Sequence, residues 1–212
     1  MPSSTPVYRG RYIAIGKLTN PTALYRVSSR SFPNRRIDLA GATAQVVPTE
    51  KAALSDNPFI SYRCYAQTVP DTVIVSNGSQ IDQVVSKLRR GCPMKDALIL
   101  SLAVNDFEDD GHATPRIIGA IQGNTGYVGS VGARHVGVYA FDLAEGVFFE
   151  VSTNACPSTV IGRIEVSSPR KLSADELAAD LAKGNLFTPD PHFVTGLAWA
   201  GGQLAVYNRV DH

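Results

Sequence analysis

Arginine and serine residues alternate in the segment ALYRVSSRSFPNRR, residues 23–36, which otherwise has the composition of a β-strand. Because alternate side chains of a strand share a face, we expect Arg26, Ser28 and Arg30 to point the same way. Two guanidinium groups flanking a hydroxyl match the oxygens of a phosphate or carboxylate. If this face is buried it needs an anion, and if it faces solvent the arginines are simply hydrated. The segment alone leaves both alternatives open.

A second charged feature is the acidic run NDFEDDG, residues 105–111, at the end of a predicted helix. A helix C-terminus carries partial negative charge, so carboxylates such as Glu108 are disfavoured there unless a cation lies nearby. The arginine strand is one candidate partner, and a solvated acidic helix end is the alternative. The run resembles the start of a calcium loop, but Ile117 stands where the twelfth position requires a bidentate glutamate. We therefore predict no calcium site.

The segment VSNGSQID, residues 75–82, predicts a strand, a tight turn and the first turn of a helix. Free backbone amides at a helix start favour an anion, although an ordinary capped helix has the same pattern. Ser79 followed by Asp82 resembles a capping box. The four histidines form no metal-binding array, so no metal site is predicted. Cys64 has no recognisable base beside it and is expected to be a buried structural thiol.

The overall composition excludes several classes of protein. A net charge of +1 over 212 residues argues against a general nucleic-acid binder. Three widely spaced cysteines predict neither a disulfide framework nor a zinc site, and a reducing cytoplasm is the expected location. No apolar run approaches the length that spans a membrane, and the first residues lack the apolar core of a signal peptide.

The elements that must position these residues follow a simple order along the chain. Short strands with β-branched residues come first, two helices follow over residues 79–91 and 93–109, and strands return from Pro115. A third helix begins at SADELAADLAKG, where Ser173 and Glu176 form a second predicted capping box. A closing hairpin ends the chain. This order is typical of an α+β protein with sheets covered by helices, and we expect a single domain over residues 1–212.

Several segments together resemble the archaeal-type IMP cyclohydrolases. YRVSSRSFPNR (residues 25–35) resembles the signature of that family, and NPFISYRC (57–64), VSNGSQID (75–82), NDFE (105–108) and TPRIIGAI (114–121) follow in its order. The resemblance covers about residues 8–122. Phe59 and Phe107 stand at places where tyrosine would be equally expected.

This resemblance implies a four-layer αββα sandwich like that of the N-terminal-nucleophile hydrolases. Met1 and Pro2 cannot act as the nucleophile of those enzymes, so an amidohydrolase mechanism is disfavoured. The implied reaction is the ring closure of 5-formamidoimidazole-4-carboxamide ribonucleotide to inosine monophosphate and water. Motif by motif, the catalytic positions fall on Arg26, Tyr62 and Glu108.

The chemistry of the ring closure agrees with those residue types. An arginine and a phenol can stabilise charge on the formyl oxygen, and a carboxylate can carry a proton, without any metal or other cofactor. Residues expected to contact the phosphate or ribose are Ser28, Arg30, Asn77 and Ser79. The expected partner is a small ribonucleotide rather than a nucleic acid or a membrane, and a homo-oligomer is expected. The alternatives are a non-catalytic binder of purine nucleotides or anions and an amidohydrolase of the same fold.

Overall fold

The computed structural model describes residues 8–49, 60–108, 113–154, 161–167 and 169–212. It contains two antiparallel sheets and three α-helices. The strands are β1 (Arg11–Lys17), β2 (Pro21–Ser28), β3 (Arg35–Ala40), β4 (Thr43–Pro48), β5 (Tyr62–Val69), β6 (Thr72–Ser76), β7 (Arg116–Gln122), β8 (Thr125–Gly132), β9 (His135–Asp142), β10 (Val147–Ser152), β11 (Gly162–Glu165), β12 (Phe193–Ala200) and β13 (Gln203–Asn208). The helices are α1 (Gln80–Arg89), α2 (Met94–Asn105) and α3 (Ala174–Lys183), and a short 3₁₀ helix, Arg209–Asp211, follows β13.

Each sheet is built from neighbouring antiparallel strands. One has six strands in the order β11-β10-β1-β2-β12-β13, and the other has seven in the order β3-β4-β5-β6-β7-β8-β9. The second sheet is a continuous meander in which each strand pairs with the next one along the chain, although α1 and α2 lie between β6 and β7. Of the helices within the described ranges, none combines the length and apolar character needed to cross a membrane.

Three apolar cores define the layers. The central core joins side chains from both sheets, among them Ile13, Tyr25 and Val75, so the two sheets pack face to face. A second core packs α3 against the outer face of the six-stranded sheet, and a third packs α1 and α2 against the outer face of the seven-stranded sheet. The predicted α+β class is therefore confirmed, with helices covering both outer faces of a sheet pair.

Strand β2 shows how this layering sorts side chains. Tyr25 and Val27 belong to the central core, whereas Leu24 belongs to the core under α3. Since the side-chain period of a strand is two, Arg26 must share the face of Leu24 and point away from the second sheet. The strand ends at Ser28, so Arg30 lies beyond it and does not continue the predicted row.

Two helix predictions need correction. Ser79 makes no side-chain hydrogen bond to the start of α1, and its backbone is already helical, so the predicted capping box there is wrong. Helix α2 ends at Asn105, before Glu108, and its Leu100 and Val104 are exposed, so it is less buried than predicted. The capping box of Ser173 and Glu176 at the start of α3 is confirmed in both of its hydrogen bonds.

Candidate active site

A group of buried and partly buried polar residues lies at one end of the sandwich. Because neighbouring strands run antiparallel, the starts of β1, β5 and β7 lie at this end together with the ends of β2 and β6. Side chains from these elements converge between the sheets, and hydrogen bonds or ion pairs link most of them to one carboxylate, that of Glu108.

Glu108 forms the centre of this group and is almost completely buried. One of its carboxylate oxygens, Oε2, lies 2.7 Å from Nη2 of Arg11, which stands at the start of β1. The backbone N–H of Glu108 donates to the carbonyl of Thr114 at 2.8 Å, and an isolated β-bridge links the two residues. Burial lowers the pKa of Arg11, but Glu108 and the neighbouring tyrosine hydroxyls together outweigh burial and raise the pKa above its ordinary value. Arg11 is therefore permanently charged.

Asn77 fixes the other carboxylate oxygen. Its amide nitrogen donates to Oε1 of Glu108 at 3.4 Å and to the carbonyl of Pro115 at 3.1 Å. Its amide oxygen accepts from the backbone N–H of Ile117 at 2.8 Å and from Nε2 of Gln80 at 3.0 Å. These four bonds use the ordinary capacity of an asparagine side chain, so Asn77 supports the site rather than offering free groups to a ligand.

Arg116 supplies a second cation on the α1 side of Glu108. Its Nη1 lies 4.0 Å from Oε1 of Glu108 and donates to Oε1 of Gln80 at 3.3 Å. A Cβ atom built on Gly78 would lie 2.5 Å from this Nη1, so any larger residue there would displace the guanidinium from its present position. Burial lowers the pKa of Arg116, while the charge of Glu108 raises it.

Two buried phenols lie beside the ion pair. The hydroxyls of Tyr62 on β5 and Tyr25 on β2 are 2.7 Å apart across the space between the sheets. Burial raises the pKa of Tyr62, and the charges of Arg35 and Arg11 act in the opposite direction without cancelling it. Burial also raises the pKa of Tyr25 well above its ordinary value, so both phenols stay protonated at neutral pH and can donate hydrogen bonds.

Arg26 lies on the other side of the six-stranded sheet. Its guanidinium stacks 4.7 Å from the ring centre of Tyr12 and donates to the carbonyl of Thr188 at 2.7 Å, in the layer of α3. Nε and Nη2 are buried without a hydrogen-bond partner, and burial lowers the pKa of Arg26. The structure therefore does not bring Arg26 together with Tyr62 and Glu108, because the sheet separates its side chain from theirs.

The remaining predicted residues are scattered. Ser28 is buried, and by strand alternation it shares the face of Arg26. Arg30 is exposed and stacks 4.3 Å over the ring centre of Tyr8, and Ser79 is exposed outside the cluster. Residues 57–59 and 109–112, which include Phe59 and part of the acidic run, lie outside the described residues.

No pattern in the sequence indicated Arg11, Arg116 or Tyr25 as site residues. Arg11 begins an alternating row with Ile13 and Ile15, but nothing in that row indicates a carboxylate partner 97 residues away. The predicted need for a cation near the acidic run is met, although by these two arginines rather than by Arg26. Cys64 is buried with its pKa raised by burial, as expected for a structural thiol.

The fold and this cluster define an α+β sandwich protein with a group of charged and phenolic side chains gathered at one end of its two sheets. A family model described as IMP cyclohydrolase-like protein matches residues 8–190, further than the segments that first indicated the resemblance. The IMP cyclohydrolase of Natronomonas pharaonis is 39% identical over 188 residues, 86% of this chain and 89% of the relative. That of Methanosphaera stadtmanae is 37% identical over 203 residues, 91% and 93% of the two chains. That of Haloquadratum walsbyi is 40% identical over 153 residues, 72% and 75% of the two chains. The chain belongs to the IMP cyclohydrolase-like family.

Proposed function

We propose that this protein is an IMP cyclohydrolase whose reaction is carried by Arg11, Tyr62 and Glu108. It closes 5-formamidoimidazole-4-carboxamide ribonucleotide to inosine monophosphate, as the names of its relatives imply. The single observation that carries the residue assignment is the ion pair of the buried Glu108 with the partly buried Arg11, beside the Tyr62–Tyr25 hydroxyl pair.

The ring closure joins the carboxamide nitrogen to the formyl carbon, forms a double bond from that carbon to the formamido nitrogen, and breaks both bonds between that carbon and its oxygen. The carboxamide nitrogen attacks the formyl carbon, and the π electrons of the formyl group move onto its oxygen. The carbon–oxygen bond then breaks and water leaves. One hydrogen of that water comes from the carboxamide nitrogen and the other from the formamido nitrogen, so the product ring needs no redox partner.

Arg11 and Tyr62 are suited to stabilise the oxygen on which charge develops. Both are held by neighbours, Arg11 by Glu108 and Tyr62 by Tyr25, so they need little reorganisation when charge appears. A Tyr62 phenol that accepts a hydrogen bond from Tyr25 has its own proton free for the substrate oxygen. The same proton can accompany the oxygen when it leaves as water.

Glu108 is the proton carrier. A carboxylate can take a proton from the attacking carboxamide nitrogen and deliver it to the departing oxygen. Its two arginine neighbours and Asn77 fix its orientation before the substrate binds. Holding both reacting groups of one substrate in attack geometry supplies much of the remaining rate enhancement.

Other parts of the chain have supporting roles in this proposal. Arg30, exposed over Tyr8, is suited to contact the phosphate of the substrate. Arg26, buried under α3, belongs to the scaffold. The order helix, sheet, sheet, helix supports kinship with the N-terminal-nucleophile hydrolases, and the shared central core supports a single domain.

The proposal is tested by incubating the purified protein with the formamido ribonucleotide and following inosine monophosphate by its ultraviolet absorbance. We expect turnover that is proportional to protein concentration. Tight binding of the ribonucleotide without product would instead support a non-catalytic nucleotide binder. A covalent acyl adduct on the protein would support an amidohydrolase.

A further inference from the structure

An open cavity lies between the α1–α2 connection and the outer face of the seven-stranded sheet. Its volume of about 550 Å³ falls within the range of small-molecule sites, about 300–1,000 Å³. Its lining includes the end of β5, the start of β6 and the end of β7. The candidate active site lies at the opposite ends of these three strands, so the cavity is a separate site.

A buried hydroxyl lines this cavity. Thr72 pairs with Gln122 of β7, and it shares the face of Ile74, which belongs to the core under α1 and α2. Thr72 is only 4% exposed, yet its hydroxyl has no hydrogen-bond partner among the described residues. A buried polar group of this kind requires water or a ligand in the cavity.

The cavity is also cationic. Arg89 at the end of α1 and Lys95 in the first turn of α2 line it, and neither forms an ion pair within the described part of the chain. Among the residues that the structure describes, the lining contains no carboxylate. Lys95 lies at the positive end of the helix dipole, where a cation is disfavoured unless an anion binds nearby.

The start of α2 adds free backbone donors. Pro93 precedes the helix and provides no side-chain cap, and the backbone N–H of Ala97 donates to the carbonyl of Pro93. The amides of Met94 and Lys95, which belong to the first turn, therefore have no intrahelical acceptor. Free amides beside two unpaired cations favour an anion, and the unpartnered hydroxyl of Thr72 independently indicates a ligand at the same place.

Apolar surface completes the lining. Tyr127 of β8 pairs with Ala120 and packs against the core under α1 and α2, while Leu88 and Met94 line the cavity from the helices. The face of an aromatic side chain stacks on a planar heterocycle with little regard to its identity. A ligand that uses the whole cavity therefore combines an anionic group, hydroxyl or carbonyl groups and a flat ring.

We propose that this cavity is a second binding site, separate from the candidate active site, and that its ligand is a mononucleotide. The phosphate lies against Arg89, Lys95 and the free amides at the start of α2. The base packs against Tyr127, and the sugar hydroxyls reach Thr72 and Gln122. Binding at this site does not depend on the ring closure proposed above.

Cys92 reports directly on the cavity, because its half-buried thiol lies in the lining. Adenosine monophosphate at saturation should slow the alkylation of Cys92 by iodoacetamide about fivefold or more, as measured by peptide mass spectrometry. Cys64 is fully buried and is the internal control, which should stay unreactive with and without the nucleotide. Inorganic phosphate and adenosine each lack part of the ligand, so each should protect Cys92 only at concentrations about tenfold higher or more.

Two neighbouring arginines provide a matched comparison. Arg89 lines the cavity, whereas Arg90 is also exposed but does not line it. Replacing Arg89 and Lys95 together by alanine should raise the nucleotide concentration for half-protection about tenfold or more. Thr72→Val, which keeps the shape of the side chain, should raise it about threefold or more, and Arg90→Ala should change it less than about twofold.

The result that overturns the proposal is equally specific. Unchanged alkylation of Cys92 at about 10 mM adenosine monophosphate, weaker than any useful site, would do so. Protection that the Arg89, Lys95 and Thr72 substitutions leave intact, or that phosphate or adenosine matches, would overturn it as well. The measurement requires no turnover, so failure of this site and failure of the proposed ring closure are distinguished.

Discussion

Oε2 of Glu108 lies 2.7 Å from Nη2 of Arg11 at one end of the two sheets, although the two residues are 97 positions apart in the sequence. Neither group would be stable there alone, since a buried charge that loses its partner costs about 3–5 kcal/mol. The pair therefore holds the end of the sandwich in place and brings a permanently charged guanidinium and a carboxylate side by side. This arrangement is the basis of the proposed mechanism.

The first prediction separates Arg11 from Arg26, which the sequence favoured. Arg11→Lys keeps the charge but loses the planar guanidinium, so kcat for ring closure should fall about 10- to 100-fold. Arg26→Lys should leave kcat within about threefold. Steady-state kinetics on both variants decide the matter, and a large loss of kcat in Arg26→Lys with near-normal Arg11→Lys would reverse the assignment.

Arg26→Lys should instead lower stability. Its guanidinium donates to the carbonyls of Thr188 and Leu181 under α3, and hydrogen bonds to charged groups contribute about 1.5–3 kcal/mol each. Denaturant unfolding should therefore show a lower midpoint for this variant.

Tyr62→Phe tests the proposed donor to the formyl oxygen. The phenyl ring keeps the packing, so the variant removes the hydroxyl and little else. We expect kcat to fall about 10²-fold while the affinity for inosine monophosphate stays within about threefold. Retention of kcat within about twofold, which is less than half a kcal/mol of barrier, would remove Tyr62 from the mechanism.

Tyr25→Phe tests the buried phenols through alkaline stability. Burial raises the pKa of Tyr25 in the folded state above the unfolded value of about 10. Above pH 10 the unfolded chain loses the proton first, so this contribution is fully present below pH 10 and is lost as pH rises further. The loss is about 1.4 kcal/mol per pH unit for each such tyrosine.

The free energy of unfolding of Tyr25→Phe should therefore fall less steeply between about pH 10 and 11 than that of the wild type. Urea titrations at several pH values measure how the free energy of unfolding changes with pH. The difference between the variant and the wild type at pH 7 gives the cost of the lost hydroxyl contact, which is subtracted at every pH. An unchanged slope would show that the phenol does not remain protonated in the folded protein.

The two helix starts give a matched comparison of capping. Ser173 accepts a hydrogen bond from the backbone N–H of Glu176, whereas Ser79 makes no side-chain cap. Ser173→Ala should lower the free energy of unfolding by about 1 kcal/mol. Ser79→Ala should change it by less than about 0.5 kcal/mol, because exposed positions without such contacts are tolerant. Equal losses in the two variants would contradict the difference in capping.

Local patterns in the sequence predicted most elements but not which faces meet. Alternation in YRVSSR correctly separated Tyr25 from Arg26, yet it could not say which of them faces the second sheet. That choice depends on whether α3 or the other sheet covers each face, and α3 begins nearly 150 residues later at Ala174. Glu108 and Tyr62 were found because family motifs mark them, and both lie at the site.

Arg11 was missed for a related reason. A single arginine at a strand start is ordinary on a surface, and only the distant turn after α2 converts it into half of an ion pair. The false capping box at Ser79 has a local cause. The sequence pattern fits, but the helical backbone of Ser79 prevents its side chain from reaching the amides that a cap would satisfy.

The most direct test of the proposed mechanism is the turnover of Glu108→Gln. Glutamine keeps the shape but cannot carry the proton, so kcat for formation of inosine monophosphate should fall about 10²- to 10⁴-fold, with KM within about threefold. The thermal midpoint is measured alongside, because Arg11 loses its buried partner, and Glu165→Gln at an exposed ion pair serves as the control. A folded Glu108→Gln protein with kcat within about twofold of the wild type would contradict the mechanism.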